Sequence, residues 1–269
     1  MKEQALSIIR GKTDPGLALN LLREYLQAFV LRSFHEGEAF RPLAFVGGTA
    51  LRFLHGLPRF SEDMDFSIVT AEGYAGKEWM AKVKRDLTLA GFTPEVTWND
   101  TKTVHTGWVR VAGILHEAGL SALPEQKLAI KVEIDTLPPA GAHCERRIVT
   151  RHMTFFIQHY DLPSLLAGKL HAAITRKYAK GRDWYDLVWY LSQYPPIEPN
   201  LPLLQNALDQ TQGIGRSDAH AWRALVLARI GSLDMAAISA DAGPFLERPL
   251  DAALLTRDNL MGLFQSSNP

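Results

Sequence analysis

A glycine turn followed by a pair of aspartates constrains this chain more than any other stretch. Residues 43–46 are a short apolar run that ends at Gly47-Gly48, and Thr49 to His55 has the spacing of a helix. Asp63-Met64-Asp65 then opens a segment in which acidic and apolar residues alternate. A period of two places both carboxylates on the same face of a strand. We therefore predict a strand, a glycine turn, a helix and a second strand that presents two acids.

Two carboxylates side by side favour a bound cation, because at ~4 Å they repel each other by up to ~4 kcal/mol at an effective dielectric near 20. Magnesium prefers oxygen ligands and keeps positions for water and substrate phosphates. A third carboxylate from a neighbouring strand would complete a two-metal site. The alternating strand 128–136 offers Glu133 as the first choice and Asp135 as the second. Solvated acids on an exposed face would explain either strand taken singly.

The glycine turn suits a phosphate-binding role next to these acids. Glycine lets the backbone pass close to a triphosphate, and the N-terminus of the following helix presents amide donors to an anion. Alone this feature is weak, since glycines often end strands for steric reasons. Its weight comes from the acids that follow it.

The whole pattern predicts an α/β (α+β) protein, with a mixed twisted sheet flanked by helices over residues 1–158 and an α-helical region over 159–269. Helical periodicity, capping residues and strand-like alternation give the boundaries. The predicted helices are 15–35, 49–55, 73–90, 161–178, 182–193, 203–212, 218–231 and roughly 234–264, and the predicted strands are 43–46, 63–69, 93–98, 103–115, 128–136 and one or two within 146–156.

The charge balance limits how the chain can meet nucleic acid. Its 29 lysines and arginines equal its 29 aspartates and glutamates, so any RNA surface must be a local patch. Two basic clusters are candidates, although a solvated face is the commoner explanation of such runs. They are Arg146, Arg147 and Arg151, and Arg176, Lys177, Lys180 and Arg182.

Cysteine usage and hydropathy suggest the compartment. The single cysteine, Cys144, excludes an internal disulfide and a cysteine-based zinc cluster, and we expect it to be a buried structural thiol. The N-terminus lacks the long apolar segment of a secretory signal, and no apolar run approaches the ~18 residues that span a bilayer. These observations predict a cytoplasmic protein without a membrane partner.

Together the motifs resemble a known family of enzymes. The combination is similar to the nucleotidyltransferases of the DNA polymerase β-like superfamily, and specifically to abortive-infection toxins of the AbiEii/AbiGii type. The resemblance covers about residues 40 to 192, and it is the combination that is specific. The matching segments are Gly47-Gly48-Thr49, Arg59-x-Ser61-x-Asp63-x-Asp65, Ile130–Ile134, Leu165–Lys169 and Arg182–Leu187.

The resemblance implies roles for two further residues. The family has a lysine and an aspartate on successive helices that close over the nucleotide, which correspond to Lys169 and Asp183. By composition alone, Lys169 would simply reach solvent from the flank of its helix. Asp183 would orient the lysine, and Asp186 would serve structurally.

Two of the implied site residues have an equally good alternative. Arg59 and Ser61 would contact the triphosphate, although a plain turn role fits them equally well. The implied catalytic residues are Asp63, Asp65, Glu133, Lys169 and Asp183, the nucleoside triphosphate (NTP) ligands are Gly47, Gly48, Thr49, Arg59, Ser61 and Lys169, and the ligands of Mg²⁺ or Mn²⁺ are Asp63, Asp65 and Glu133.

The function that this resemblance implies is transfer of a nucleoside monophosphate from an NTP to an acceptor hydroxyl, with release of pyrophosphate. The acceptor would be RNA, plausibly tRNA, and the protein would be a toxin whose antitoxin is a separate DNA-binding protein. Two alternatives remain open at this point. One is nucleotidylation of a small molecule such as an antibiotic, and the other is an NTP-binding interaction protein without turnover.

Overall fold

A computed structural model describes residues 1–266 and shows the predicted mixture of sheet and helices. The strands share a single sheet within these residues. They are β1 (Leu43–Val46), β2 (Asp63–Ile68), β3 (Thr93–Asn99), β4 (Val104–Ala112), β5 (Leu128–Asp135), β6 (Cys144–Val149) and β7 (Phe155–Tyr160).

The sheet is mixed, with the order β3-β4-β5-β2-β1-β7-β6. β2 pairs in parallel with β5 and antiparallel with β1, and β4 pairs antiparallel with both β3 and β5. β1 also pairs in parallel with β7. The acid-bearing strands β2 and β5 are therefore neighbours in the middle of the sheet.

Helices begin and end where the sequence provides caps. The carboxylate of Asp14 accepts hydrogen bonds from the first-turn amides of the second helix, and Asp161 caps the sixth in the same way. Within residues 1–266, no helix is both long and apolar enough to cross a membrane. The helices are α1 (Lys2–Ile9), α2 (Pro15–Glu36), α3 (Gly47–His55), α4 (Gly76–Leu89), α5 (Ile114–Glu117), α6 (Leu162–Thr175), α7 (Gly181–Leu191), α8 (Leu201–Gln212), α9 (Trp222–Gly231), α10 (Met235–Ala242) and α11 (Arg257–Ser266), with 3₁₀ turns at Ala219–Ala221, Gly243–Phe245 and Pro249–Leu254.

The described chain forms two compact units. The first unit contains the sheet except for its strand ends Cys144 and Tyr160, and the second contains α6 to α11. Short segments of chain cross this division, so neither unit is one continuous stretch. The first unit is Met1–Gly56, Phe60–Leu137 and Glu145–His159, and the second is Leu57–Arg59, Pro138–Cys144 and the described residues from Tyr160 onward. The domain boundary at residue 158 stays a prediction.

In the first unit, one face of the sheet builds the core. Phe66 of β2 packs against Phe34 of α2 with ring centroids 5.3 Å apart, and Trp79 of α4 lies 6.0 Å from the same Phe34 ring. Alternate residues of β5, including Ile130 and Val132, are completely buried. The alternation leaves the polar residues of β2 and β5 on the other face.

The second unit is a helical assembly with its own core. Trp184, Tyr190 and Phe264 are almost fully buried in it. At Gly181, the start of α7 lies so close to α10 that a Cβ would be 1.9 Å from the Ile238 carbonyl oxygen. Glycine is therefore required there for close helix packing rather than for its backbone angles.

Several predicted boundaries are wrong, and the reasons are local. The structure adds α1, which the sequence analysis did not predict, and α4 begins at Gly76 rather than Gly73. The long C-terminal helix is instead α10, 3₁₀ turns and α11, because Pro244 and Pro249 interrupt it. Cys144 is exposed rather than buried, since it begins β6 at the edge of the sheet.

A buried carboxylate fixes α2 to the turn between β6 and β7. Glu24 contacts Arg52 of α3, and it lies 3.1 Å from the Arg151 guanidinium and 2.8 Å from His152 Nε2. Burial opposes its ionised form, but the hydrogen bond from His152 and the charges of Arg52 and Arg151 outweigh it. The pKa of Glu24 falls from 4.5 to about 2.

We predict that Glu24→Gln lowers the free energy of unfolding by about 3 kcal/mol at neutral pH, because it leaves Arg52 without its buried counter-charge. The folded-state pKa lies below the unfolded value, so this contribution is complete above 4.5 and disappears as the pH falls towards 2. Urea denaturation followed by circular dichroism across this range measures the difference. Glu36→Gln, on the same helix but with a half-exposed ion pair, should cost less than about 1 kcal/mol. Equal effects at every pH would contradict the assignment.

Candidate active site

The polar face of the sheet brings the predicted carboxylates together by strand register. Asp65 of β2 is directly opposite Glu133 of β5, and Asp63 is opposite Lys131. Paired residues of adjacent strands project from the same face about 5 Å apart. Asp135 is opposite Ser67, one step further along the strand. Glu133 is therefore the acid of β5 that lies beside the Asp63-Asp65 pair.

Lys131 is a cation within this acidic face. Its Nζ lies 2.8 Å from Glu133 Oε1. The hydrogen bond to Glu133 raises the pKa of Lys131; burial opposes the charged form, while the charges of Glu133, Asp63 and Asp65 add to the increase. Lys131 was not among the predicted site residues, although its place two residues before Glu133 on the same strand face was the available signal.

Gly47 lies against Asp65 at the end of β1. Its φ is +78°, and a Cβ placed on it would lie 2.3 Å from Asp65 Oδ2. Glycine is required both for the backbone conformation and for the approach of the carboxylate. α3 begins at Gly47, and the preceding Val46 has no side-chain acceptor for the first-turn amides. Those amides have the polarity that binds anions at helix N-termini.

The side chains of Thr49 and Gln27 hold the start of the strand that carries the acids. Thr49 is fully buried, and its hydroxyl donates to the Asp63 carbonyl oxygen. The Gln27 side-chain amide donates to the Ser61 carbonyl oxygen at 2.9 Å and to that of Glu62 at 3.0 Å. In this arrangement the Thr49 side chain positions β2, so a phosphate role for Thr49 would rest on its main-chain amide.

The donor set fits a divalent cation, although the ligands are not yet gathered around one position. Within residues 1–266, no group of three or more histidine, cysteine, aspartate or glutamate side chains is arranged to hold a metal ion. Asp63, Asp65 and Glu133 nevertheless offer only carboxylate oxygens, the donors that hard cations prefer. Glu133 contacts Lys131 through Oε1, so as a metal ligand it would either use its other carboxylate oxygen or leave that lysine.

A buried ion cluster lies in the second unit. The Lys169 ammonium is 3.0 Å from Asp183 Oδ1 and 2.8 Å from Asp186 Oδ2. Arg59 Nε and Nη2 donate to the two oxygens of Asp186, each at 2.6 Å. Arg176 adds a second cation to Asp183. Paired donors and acceptors of this kind satisfy buried charges that would otherwise be very costly.

The cluster favours the charged forms of Lys169 and Asp183. Burial alone would lower the pKa of Lys169, but Asp186 and Asp183 outweigh it and raise that pKa. Burial would raise the pKa of Asp183, but Lys169 and Arg176 outweigh it and lower that pKa. The contribution of Asp183 to stability is therefore lost only in acid, and that of Lys169 only in strong alkali.

This geometry bears on three expected site residues. Lys169 and Asp183 are in contact, as a lysine oriented by an aspartate requires. Arg59 is 2% exposed and bonded to Asp186, so its guanidinium has a structural use here and the expected triphosphate contact has no support from this arrangement. The sequence could not show this pairing, because Arg59 and Asp186 are far apart in the chain.

The two basic clusters differ in how their charges are used. Arg146 donates to Gln158, and Arg147 donates to the Leu54 carbonyl oxygen. Between α6 and α7, the Lys177 ammonium lies 5.4 Å from the ring centroid of Tyr178, whose surface is 76% exposed. The second cluster therefore combines exposed cations with an exposed aromatic ring.

We predict that Gly47→Ala weakens divalent-cation binding, because the new methyl group would displace the Asp65 carboxylate. The loss should be at least about tenfold in affinity for Mn²⁺, as expected when a ligand or its support is disturbed. Isothermal titration calorimetry without nucleotide measures it.

Gly56→Ala is the matched control for this variant. Gly56 has a similar φ of +69°, but a Cβ there would have no neighbour within 4 Å among the described residues. Gly56→Ala therefore has a similar free-energy cost from the positive φ, but its new methyl group contacts no carboxylate. Equal losses of Mn²⁺ affinity in both variants would refute the role of the Gly47–Asp65 contact.

Comparisons with known proteins show the fold and the family of this chain. No curated protein matches the chain. Two crystal structures from Helicobacter pylori are similar: JHP933, with 18% identity over 92% of this chain and 90% of that one and a TM-score of 0.52, and a candidate nucleotidyltransferase, with 19% identity over 91% and 93% and a TM-score of 0.55. At these identities they show the shared fold. A family model described as nucleotidyl transferase AbiEii toxin, type IV toxin–antitoxin system, matches residues 30–256, and the chain therefore belongs to this nucleotidyltransferase family.

Proposed function

We propose that this nucleotidyltransferase transfers a nucleoside monophosphate from an NTP to a hydroxyl group of RNA, using a divalent cation held by Asp63 and Asp65. The observation that carries the proposal is the register of β2 with β5, which puts Glu133 beside Asp65 while Gly47 contacts the same carboxylate. The acids proposed as metal ligands, a third acid and the glycine turn are thus neighbours in the first unit, which supports these roles.

Each group in this face has a distinct task in the proposed reaction. The main chain at Gly47 and Gly48 and the first amides of α3 bind the triphosphate. Asp63 and Asp65 would hold a divalent cation, which would stabilise charge on the reacting phosphoryl group and lower the pKa of the attacking hydroxyl. Glu133 serves either as a third ligand or as the acceptor of the hydroxyl proton. Mg²⁺ is our first choice of ion and Mn²⁺ the second.

Lys169 and Asp183 are proposed to act on the nucleotide, as the family resemblance implies. The ammonium of Lys169 would neutralise charge that develops in the transition state, and Asp183 would orient it. Asp186 and Arg59 hold this pair in place through their own bidentate contact. Two N–H donors of the ammonium are directed at Asp183 and Asp186, so its position is fixed before substrate binds.

RNA is the proposed acceptor class, and tRNA is the member to test first. The exposed Tyr178 with Lys177 beside it supports an RNA contact, since aromatic rings flanked by cations bind single-stranded nucleic acid. The type IV toxin–antitoxin family implies a separate antitoxin partner. We propose that this partner is a DNA-binding regulator.

We predict that Asp65→Asn and Glu133→Gln each reduce nucleotide incorporation at least about a hundredfold, whereas Asp135→Asn changes it by no more than about twofold. The assay incubates the protein with radiolabelled NTPs, Mg²⁺ and total tRNA and measures labelled RNA on a denaturing gel. Asp135 is the matched control because it lies on the same strand and face as Glu133 but opposite Ser67.

Lys169→Met belongs in the same series and should lower the turnover number more than it changes the KM for NTP. Circular dichroism separates loss of catalysis from loss of the buried ion cluster.

Equal labelling by the native protein and Asp65→Asn, or no labelling with any NTP, would refute the proposed reaction. A larger effect at Asp135 than at Glu133 would exchange their roles.

A further inference from the structure

A cleft with both charged and apolar walls lies in the first unit beside the acidic face. Its volume is about 330 Å³, and Asp63 and Lys131 form one of its walls. Arg23 and Leu19 of α2, Trp108 of β4 and Lys127, which precedes β5, supply the others. The cleft therefore begins at a proposed metal ligand and extends away from it. The proposed reaction does not otherwise use this space.

The cations of the cleft outnumber its acids. Arg23, Lys127 and Lys131 line it with Glu62 and Asp63. Arg23 lies 3.5 Å from Glu62, and Lys127 lies 2.6 Å from Glu95, a carboxylate with 58% of its surface exposed. The Lys127–Glu95 pair is solvent-accessible and therefore weak, so Lys127 can exchange this carboxylate for a phosphate with little loss, whereas the Arg23–Glu62 pair is partly buried.

Trp108 gives the cleft an aromatic wall. The residue is half-buried, and the Lys131 ammonium lies 5.9 Å from the centroid of its ring. Arg110 lies over the same ring at 5.0 Å but does not line the cleft. An indole beside cations is the combination that binds a stacked base together with its phosphates.

The position of the cleft favours the acceptor over the NTP. The glycine turn approaches Asp65 from the β1 side of β2, whereas the cleft is walled by β5 and β4 on the other side. In an in-line displacement the attacking oxygen and the leaving group lie on opposite sides of the phosphorus. A triphosphate at the glycine turn therefore leaves the cleft side for the attacking hydroxyl.

We propose that this cleft, here named the Trp108 cleft, binds the single-stranded end of the acceptor RNA. The terminal base stacks against Trp108, and the adjacent phosphates contact Arg23, Lys127 and Lys131. The inference rests on the proposed function and specifies its acceptor site. A cationic small molecule would be disfavoured here, because the cations outnumber the acids.

The chemistry of the step follows from this placement. The terminal hydroxyl oxygen forms a bond to the α-phosphorus of the NTP, and the bond from that phosphorus to the bridging oxygen of pyrophosphate breaks. The hydroxyl proton passes to Glu133 in the second of its two proposed roles, and pyrophosphate leaves with the bonding electron pair. No oxidant, reductant or additional reactant is needed.

The test measures RNA affinity directly, without turnover. A short fluorescein-labelled single-stranded RNA with a free terminal hydroxyl is titrated with the full chain, and anisotropy reports binding. Trp108→Ala should weaken the complex about tenfold, and Trp108→Phe should restore most of the affinity. Lys127→Ala should reduce the slope of log affinity against log salt by about one.

The matched controls separate the cleft from general effects. Lys102→Ala removes an exposed lysine of the β3–β4 turn and should leave RNA binding unchanged. Titration of a fluorescent, non-hydrolysable NTP analogue should give the same affinity for Trp108→Ala as for the native protein. Weaker RNA binding with unchanged analogue binding supports the proposal.

Other outcomes overturn it. Weaker analogue binding with unchanged RNA binding would assign the cleft to the NTP, and no RNA binding by the native protein would remove the acceptor assignment. The transferase assay distinguishes the two proposals. If Trp108→Ala still transfers nucleotide with an unchanged KM for RNA, the proposal that the Trp108 cleft binds RNA is wrong, but the proposed reaction stands. If RNA binding depends on Trp108 but no transfer occurs, the proposed reaction is wrong, but the RNA-binding role of the cleft stands.

Discussion

Repulsion between neighbouring carboxylates on the β2–β5 face is the constraint around which the first unit is arranged. The parallel register fixes Asp63, Asp65 and Glu133 as neighbours, and each would be destabilised by the others without nearby positive charge. Lys131 supplies part of that charge through its contact with Glu133. A divalent cation and the polarised amides at the start of α3 would add further positive charge beside these acids.

The opposite face of the sheet stabilises this arrangement. Phe34, Phe66 and Trp79 form a packed apolar layer behind the acids, and Glu24 locks α2 to the β6–β7 turn. The repelling carboxylates destabilise the polar face of the sheet. The apolar packing on the opposite face stabilises the strands enough to keep these acids in place. In the second unit, Asp186 contacts Lys169 and is itself held by Arg59, so this pair fixes the position of the lysine.

The sequence predicted the acidic strand well because a period of two is a local property that does not depend on pairing. Asp63 and Asp65 could be placed on one face from their spacing alone. The sequence could rank Glu133 above Asp135 but could not decide between them, since the choice depends on the register between two strands that are far apart in the chain. The buried use of Arg59 and the aromatic wall at Trp108 arise from such long-range contacts too. Cys144 was predicted to be buried but is exposed. Its position on the edge strand β6 depends on the order of strands in the whole sheet, which the local sequence does not show.

The central claim is that Asp63 and Asp65 bind a divalent cation next to the glycine turn. The most direct test is crystallography of the protein with Mn²⁺ and a non-hydrolysable NTP analogue, with data collected at the manganese absorption edge. The account predicts an anomalous peak coordinated by both aspartates, with the triphosphate on the main-chain amides at Gly47 and Gly48. Manganese bound elsewhere, with both aspartates uncoordinated, would contradict it.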